Sequence, residues 1–150
     1  LRFRTFSKAH GMAGIRVGYA IGHHDLAAGF DRIRNHFGIS RISQAGAVAA
    51  IKDHGWVAHV KAEADLSKQQ IARIATANGL KPLASATNFV TIDCGRDGAY
   101  ARAIVAGLLA HGIFIRMPGV APLDRCIRIS CCTDEGLALL AEALPKVLRA

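Results

Sequence analysis

Long apolar runs are missing from this sequence, and so is an opening segment of basic and then apolar residues. No run reaches the roughly 18 apolar residues that a membrane-spanning helix needs, although 51% of the residues are hydrophobic. Aromatic residues are scarce at 6%, and the nineteen Lys and Arg residues behind the formal charge of +8 are scattered along the chain. A nucleic-acid groove needs basic and stacking residues interleaved. We therefore expect neither a membrane nor a nucleic acid as partner, so the basic charge reflects either anionic metabolites or simply the basic half of a larger whole.

The few cysteines have no metal-binding or disulfide spacing. Cys94, Cys126, Cys131 and Cys132 form no CxxC pair, and two adjacent cysteines in a cysteine-poor chain indicate reduced thiols in a cytoplasmic protein. The histidines also lack convergent spacing, so no metal site is predicted.

Length and element order predict an α/β fold. A chain of 150 residues matches one typical domain and buries about 70% of its unfolded surface. Turn and capping signals predict the order β-β-α-α-α followed by β-α-β-β-α, with helices across residues 41–78 bridging two parts. The chain begins Leu-Arg-Phe-Arg-Thr-Phe, without methionine and inside a predicted strand. We expect it to be a piece of a longer polypeptide.

Helix-capping residues, glycines and prolines set the predicted boundaries of these elements. Predicted strands cover 1–6, 15–21, 88–93, 113–116 and 126–131, and predicted helices cover 25–37, about 41–54, 56–78, 97–112 and 133 onward. Ser40 or Ser43 is expected to cap the second helix and Gly55 to end it, Asp97 to cap the fourth, and Pro145 to kink or end the last.

The stretch RTFSKAHGMAGIRVGYAIG, residues 4–22, holds the strongest candidate site. Lys8 alone would be an ordinary solvated loop residue. Ser7 places a hydroxyl beside it, and Gly11, Gly14 and Gly18 let the backbone approach a ligand closely. Arg16 can grip a phosphate through two charge-assisted hydrogen bonds. An amine that adds to a carbonyl must be neutral, and both a nearby cation and partial burial of Lys8 would favour that form.

This stretch resembles the Schiff-base segment of the class I/II, fold-type I aminotransferases, which use pyridoxal 5'-phosphate. In that family a Ser-Lys pair precedes a Gly- and Ala-rich stretch and then Arg-x-Gly-Tyr, and nearly every position from Thr5 to Gly22 matches. The resemblance implies that Lys8 holds the cofactor aldehyde as the catalytic residue, and that Ser7 and Arg16 bind the cofactor phosphate.

Other stretches extend the resemblance over essentially the whole chain, as the C-terminal portion of a family member. NHFGISRISQAGAVAAI is similar to the segment between the family's two lobes, SATNFVTID to the start of its small-domain sheet, and HGIFIRMPG and CIRIS to its last two strands. On the last strand Arg128 would clamp a substrate carboxylate. In the histidinol-phosphate branch Arg116 and Arg128 would bind the phosphate end of the substrate instead. The alternative for Arg128, from residue chemistry alone, is a salt bridge to Asp124 or Asp134.

The resemblance implies three parts: residues 1–40 as the end of the large cofactor-binding domain and its sheet, 41–78 as long bridging helices, and 79–150 as a small α+β domain. It implies transamination between an amino acid or histidinol phosphate and a 2-oxo acid, and a homodimer when intact. The family's N-terminal part is absent here, and with it the aspartate that pairs with the cofactor's pyridine nitrogen. Alternatives are a decarboxylase of the same fold, a cofactor-sensing domain without catalysis, and an inactive fragment.

Overall fold

The computed structural model describes residues 1–149, and they divide into two compact units, Leu1–Lys61 and Ala62–Ala150. The boundary lies inside the longest helix, α3 (His54–Ala77). The three parts expected from the resemblance, including the bridging role of 41–78, remain a prediction.

The first unit is built on an antiparallel hairpin, β1 (Arg2–Thr5) and β2 (Gly18–Ile21). Its register pairs Thr5 with Gly18, and a Cβ at Gly18 would lie 2.7 Å from the Arg4 carbonyl oxygen. A glycine is therefore required for the strands to approach at this point. Residues 6–17, which join the strands and which we call the lysine loop, contain a short 3-10 helix at Ala13–Ile15.

Helices α1 (His24–Ala28) and α2 (Arg41–Lys52) complete this unit, with the start of α3 and a 3-10 turn at Gly29–Arg32. The helix predicted over 25–37, from an apolar stripe through Leu26, Phe30 and Ile33, is wrong beyond its first turns. Phe30 packs on Phe3, but Ile33 is 79% and Phe37 99% exposed, and a helix is not stable without packing of its apolar face. Ser40 caps α2 through the Ser43 N–H, as one of the two expected residues. Gly55 does not end a helix: α2 ends before Asp53, which caps the first turn of α3 through the Trp56 N–H.

The second unit contains a three-stranded antiparallel sheet in the order β3-β4-β5. Its strands are β3 (Lys81–Pro82), β4 (Phe89–Asp93) and β5 (Cys126–Ser130), and its helices are α4 (Gly98–Ala110) and α5 (Asp134–Arg149), beside a 3-10 turn at Leu123–Arg125. Asp97 caps α4 as expected, and α3 ends before Gly79, whose φ is 75°. The predicted strand over 113–116 is reduced to one bridge between Arg116 and Arg128.

The core of the second unit lies between this sheet and its helices. Ile92 and Ile127 from the sheet, Leu108 from α4 and Leu144 from α5 are fully buried. The same packing explains why Pro145 does not end α5: the apolar face continues past it through Val147 and Leu148, which pack against the core. Burial on both sides of the proline therefore outweighs the one backbone hydrogen bond that it removes.

Far fewer side chains are buried in the first unit than in the second. Of its described side chains only Phe6 and Ser43 are buried, while many large apolar side chains face outward. Across residues 1–149, no helix is long and apolar enough to cross a membrane. Over the same range, no three His, Cys, Asp or Glu side chains are grouped as metal ligands would be.

Candidate active site

The lysine loop is held in one conformation by its own backbone hydrogen bonds. The Phe6 carbonyl accepts from the Met12 N–H at 3.1 Å, and the Lys8 carbonyl accepts from the Gly11 N–H at 2.9 Å. Gly11 has a φ of 64°, which a glycine adopts without strain. The loop therefore turns sharply just after the lysine and presents Lys8 at its bend.

Lys8 is exposed, and within residues 1–149 its amine has no hydrogen-bond or ion-pair partner. Residues 1–149 therefore do not supply the partial burial that would favour a neutral amine. An exposed amine with no partner in the chain is available to a ligand, and any desolvation of that amine has to come from groups beyond these residues. The expected proximity of the Arg16 guanidinium to the Lys8 amine stays a prediction.

Ser7 precedes the lysine and is half-buried. Its N–H donates to the Thr5 Oγ1 at 3.1 Å, and the Thr5 hydroxyl donates to the Ser7 Oγ at 2.9 Å. Thr5 therefore orients the Ser7 hydroxyl and leaves its proton free to donate elsewhere. Sequence reasoning missed this role of Thr5, although a hydroxyl two residues before Ser7 was a visible signal.

Arg16 ends the 3-10 turn in the left-handed region, with φ 54° and ψ 54°. A residue with a long side chain rarely adopts this backbone conformation, and such backbone strain is often found at functional sites. Its Nη1 donates to the Ala13 carbonyl at 2.6 Å. Since a guanidinium carries five N–H donors, the exposed side chain keeps enough donors to bind an anion.

Two helices fasten the lysine loop from outside. Trp56, in the first turn of α3, donates its indole N–H to the Ala9 carbonyl at 2.7 Å. Ser43, in the first turn of α2 and 5% exposed, donates its hydroxyl to the Ile15 carbonyl at 2.7 Å. Sequence reasoning gave neither residue a role at the site, because contacts 47 and 28 residues apart leave no local pattern.

A cavity of about 430 Å³ opens beside the loop, lined by Thr5, Ala9, His10 and Tyr19 together with residues of α2 and α3. Tyr19 and His10 both pack against Phe6, with ring centroids 5.4 Å and 5.3 Å away, as expected for a packing role of Tyr19. None of the predicted cofactor residues lines this cavity.

In the second unit, the structure brings the two predicted substrate arginines together. The Arg116 N–H donates to the Arg128 carbonyl at 3.1 Å, and the Arg128 N–H donates back to the Arg116 carbonyl at 2.6 Å. Residues directly opposite in an antiparallel pair project to the same face. Two arginines therefore share one face of the sheet, away from the buried Ile127 and Ile129.

Like charges opposite each other are unfavourable, and within residues 1–149 neither arginine forms an ion pair. The guanidinium of Arg128 lies 4.7 Å from the centroid of the Phe89 ring, and that of Arg116 lies 5.8 Å from the Phe114 ring. In the described part of the chain, Arg128 forms no ion pair with Asp124 or Asp134, so the alternative expected for it is wrong. The pair is suited to an anion that accepts from both.

The cysteines offer no nucleophile. All of them are free, and burial raises the pKa of the Cys94 thiol to about 11. Burial also raises the pKa of Cys126, Cys131 and Cys132. Since the thiolate is the reactive form, the raised pKa values make all four thiols weak nucleophiles, and Cys94 and Cys126 are buried.

Comparison with known proteins agrees with the resemblance found in the sequence. The chain is 34% identical to histidinol-phosphate aminotransferase 1 of Nitrosococcus oceani, over 97% of this chain and 38% of that protein. It is 37% identical to histidinol-phosphate aminotransferase of Bacillus subtilis, over 94% of this chain and 39% of that protein. The chain thus spans about two fifths of the length of these curated relatives.

A solved structure is similar as well. The crystal structure of histidinol-phosphate aminotransferase from Sinorhizobium meliloti in complex with pyridoxal-5'-phosphate is 58% identical, covers 99% of this chain and 41% of its own, and superposes with a TM-score of 0.93. The predicted mixture of helices and sheet, as part of the fold of pyridoxal-phosphate-dependent transferases, is confirmed. The family described as aminotransferase class I and II matches residues 1–144, and the chain belongs to that family.

Proposed function

We propose that this chain is the lysine-bearing and arginine-bearing part of a pyridoxal 5'-phosphate-dependent aminotransferase acting on histidinol phosphate or a related amino acid. The observation that carries the proposal is the lysine loop: an exposed, unpartnered amine at Lys8 and a left-handed Arg16 stand on one short, internally bonded connection. Similarity to the three named proteins supports the substrate class, since each of them is a histidinol-phosphate aminotransferase.

The donors of this loop fit the cofactor chemically. A primary amine combines with an aldehyde, and a guanidinium with free N–H groups binds a phosphate. We assign Lys8 to the aldehyde end, and Ser7 and Arg16 to the phosphate. When bound, the cofactor acts as an electron sink for the bonds of the substrate's α-carbon.

In this proposal Lys8 has two tasks. Its amine first holds the cofactor, and after the substrate amine takes its place, it is free to move a proton. With the cofactor bound, the Lys8 amine would take the proton from the α-carbon of the substrate as a base and would then give that proton up as an acid. Within residues 1–149 no hydrogen bond or ion pair holds this amine in place, which leaves it mobile for this exchange.

Ser7 and Arg16 orient the reacting group in this scheme. Thr5 fixes the Ser7 hydroxyl, and Arg16 is fixed by its bond to the Ala13 carbonyl. A phosphate held at two points cannot rotate freely, so the substrate bond to be broken keeps one orientation. Loss of that orientation lowers the rate even where binding persists.

Arg116 and Arg128 are proposed to bind the anionic end of the substrate. Their shared face and lack of a carboxylate partner support this role. A phosphate monoester accepts hydrogen bonds from two guanidinium groups at once, which relieves the repulsion between them. A substrate carboxylate is the other anion that Arg128 could hold.

We also infer a homodimer in the cytoplasm for the protein that contains this chain. The many exposed apolar side chains of the Leu1–Lys61 unit, such as Phe37 and Ile33, support a further packing surface. That surface is shared between other parts of the fold and a second subunit. The free thiols support a reducing compartment.

Product analysis tests this function. The protein that carries this chain, given histidinol phosphate and a 2-oxo acid, should form the corresponding oxo product and the amino acid in equal amounts. Lys8→Ala should abolish both products, while Lys146→Ala, an exposed lysine of α5, should not affect them. Release of carbon dioxide would assign a decarboxylase, and full turnover by Lys8→Ala would refute the role of Lys8.

A further inference from the structure

The two hydrogen bonds from helices α2 and α3 to the lysine loop end on carbonyls next to the proposed cofactor residues. Trp56 bonds the carbonyl of Ala9, which directly follows Lys8. Ser43 bonds the carbonyl of Ile15, which directly precedes Arg16. Each proposed cofactor residue is therefore one peptide unit away from a carbonyl that a helix holds at 2.7 Å.

Both donors are themselves fixed. The backbone N–H of Trp56 donates to the Asp53 carboxylate at 3.1 Å, and this bond fixes the first turn of α3. The ring of Trp56 also packs on His59, with centroids 5.6 Å apart. The Ser43 N–H is bonded to the Ser40 hydroxyl oxygen at 3.0 Å, and the two hydroxyl oxygens lie 2.8 Å apart.

Between these two points the Met12 side chain also lies against α2, since a Cβ at Gly46 would be 3.0 Å from its Cε atom. The segment contains two glycines, Gly11 and Gly14, and neither has anything within 4 Å of a Cβ position. A glycine-rich connection loses more conformational freedom on ordering than other sequences. The loop's own hydrogen bonds form its local turns, and the two helix contacts hold the backbone next to Lys8 and next to Arg16.

We propose that Trp56 and Ser43 are positioning residues that fix the distance between the Lys8 amine and the Arg16 guanidinium, so that one molecule carrying an aldehyde and a phosphate meets both. This inference rests on the proposed function, and it adds two residues outside the loop to the machinery. Neither side chain needs to touch the cofactor.

The readout is the preference of Lys8 for an aldehyde that carries a phosphate. The 150-residue chain is exposed to pyridoxal 5'-phosphate or to pyridoxal, which lacks the phosphate. The lysine amine adds to the aldehyde with loss of water, and added borohydride reduces the resulting C=N bond to a stable secondary amine. Peptide mapping then gives the capture rate at Lys8 and, as an internal reference, at exposed Lys146.

In the unmodified chain we expect the phosphate-bearing aldehyde to be captured at Lys8 faster than pyridoxal, relative to Lys146. Trp56→Phe keeps the aromatic ring but removes the indole donor, and Ser43→Ala removes the hydroxyl. Since a lost hydrogen bond of this kind changes an equilibrium about fivefold, each variant should lower the preference by about that factor.

Ser67→Ala is the matched control. Ser67 is also a buried serine with hydrogen bonds, to the N–H and carbonyl of Cys132 at 3.1 Å and 3.3 Å, but it lies in the second unit. Its loss should lower stability without changing the preference at Lys8. If Ser67→Ala lowered this preference as much as Ser43→Ala does, the inference would be overturned, because a general loss of stability would then explain the effect.

The tryptophan offers a second route if Trp56→Phe does not fold. Trp56 is the only tryptophan in the sequence, so biosynthetic replacement by the benzothiophene analogue, which lacks the N–H, changes that one ring. The preference should fall about as far as in Trp56→Phe. An unchanged preference in the analogue-containing chain and in Ser43→Ala would overturn the inference.

Failure of the proposed function has a different signature. If the unmodified chain shows equal capture of the two aldehydes at Lys8, then Lys8 and Arg16 do not act on one molecule, and both the function and the inference fall. If the preference is present but survives the loss of both donors, the function stands and the positioning roles are refuted.

Discussion

Removal of one arginine from the Arg116–Arg128 pair should have opposite consequences with and without a bound anion. Opposed residues of an antiparallel pair have Cα atoms about 5.5 Å apart. The Arg128 guanidinium lies over Phe89 of β4, on one side of β5, and the Arg116 guanidinium lies over Phe114, on the other side. Two unit charges about 5.5 Å apart in water repel each other by about 0.8 kcal/mol.

Without an anion, Arg116→Gln should therefore change the free energy of unfolding by less than about 0.8 kcal/mol, since salt screens the repulsion further. With a phosphate monoester at a hundred times its Kd, the unmodified chain should gain about 2.7 kcal/mol. A lost charge-assisted contact costs about 1.5–3 kcal/mol, which lowers affinity roughly 10- to 100-fold. At the same concentration of the phosphate monoester, the free energy of unfolding of Arg116→Gln should rise by only about 0.4 to 1.4 kcal/mol.

Urea denaturation followed by circular dichroism, with and without phenyl phosphate at fixed salt, measures both quantities. Arg73→Gln, which removes an exposed arginine of α3, is the matched control and should keep the full gain. An equal loss in Arg73→Gln and Arg116→Gln would refute the reasoning, because it would show that the ester responds to net charge and not to the pair.

Two predictions concern the stability of the fold. Gly107→Ala places a methyl group 2.5 Å from Val147 Cγ1. This overpacking costs about 1–3 kcal/mol, which exceeds the gain of about 1 kcal/mol in helix propensity. Thermal unfolding should therefore show a net loss of stability. Gly55→Ala, also in a helix but with its nearest neighbour at 3.9 Å, should raise the melting temperature or leave it unchanged, and a loss equal to that of Gly107→Ala would contradict the packing argument. The Arg125 side chain, with the Gly95 N–H, holds the pKa of Asp93 below its ordinary value, so the stabilising charge of Asp93 is fully present above about pH 5 and lost as the pH falls through the folded-state pKa. In urea titrations, Asp93→Asn should be less stable at pH 7 and should lose less stability between pH 5 and pH 3 than the unmodified chain; parallel curves would show that this pair is not responsible.

The sequence predicted elements best where a local signal coincides with the physical cause. Asp97 caps α4 through the Tyr100 N–H, and Gly79 follows α3 with a positive φ; both effects are confined to a few neighbouring residues. The apolar stripe through Leu26, Phe30 and Ile33 misled because periodicity predicts a helix only when something covers its apolar face.

Contacts between distant residues account for the parts of the site that could not be predicted. The roles of Lys8, Ser7 and Arg16 follow from one dense motif and remain predictions about the cofactor. The bonds of Trp56 and Ser43 to the lysine loop depend on how α2 and α3 pack, which no spacing in the sequence encodes. The opposition of Arg116 and Arg128 depends in the same way on strand register.

A crystal structure of the chain after reaction with pyridoxal 5'-phosphate and borohydride tests the central claim most directly. The account predicts a covalent bond from Lys8 Nζ to the C4′ carbon of the cofactor, with the phosphate of the same molecule within hydrogen-bond distance of the Arg16 guanidinium and the Ser7 hydroxyl. A cofactor joined to a different lysine, or joined to Lys8 with its phosphate held by other residues, would contradict it.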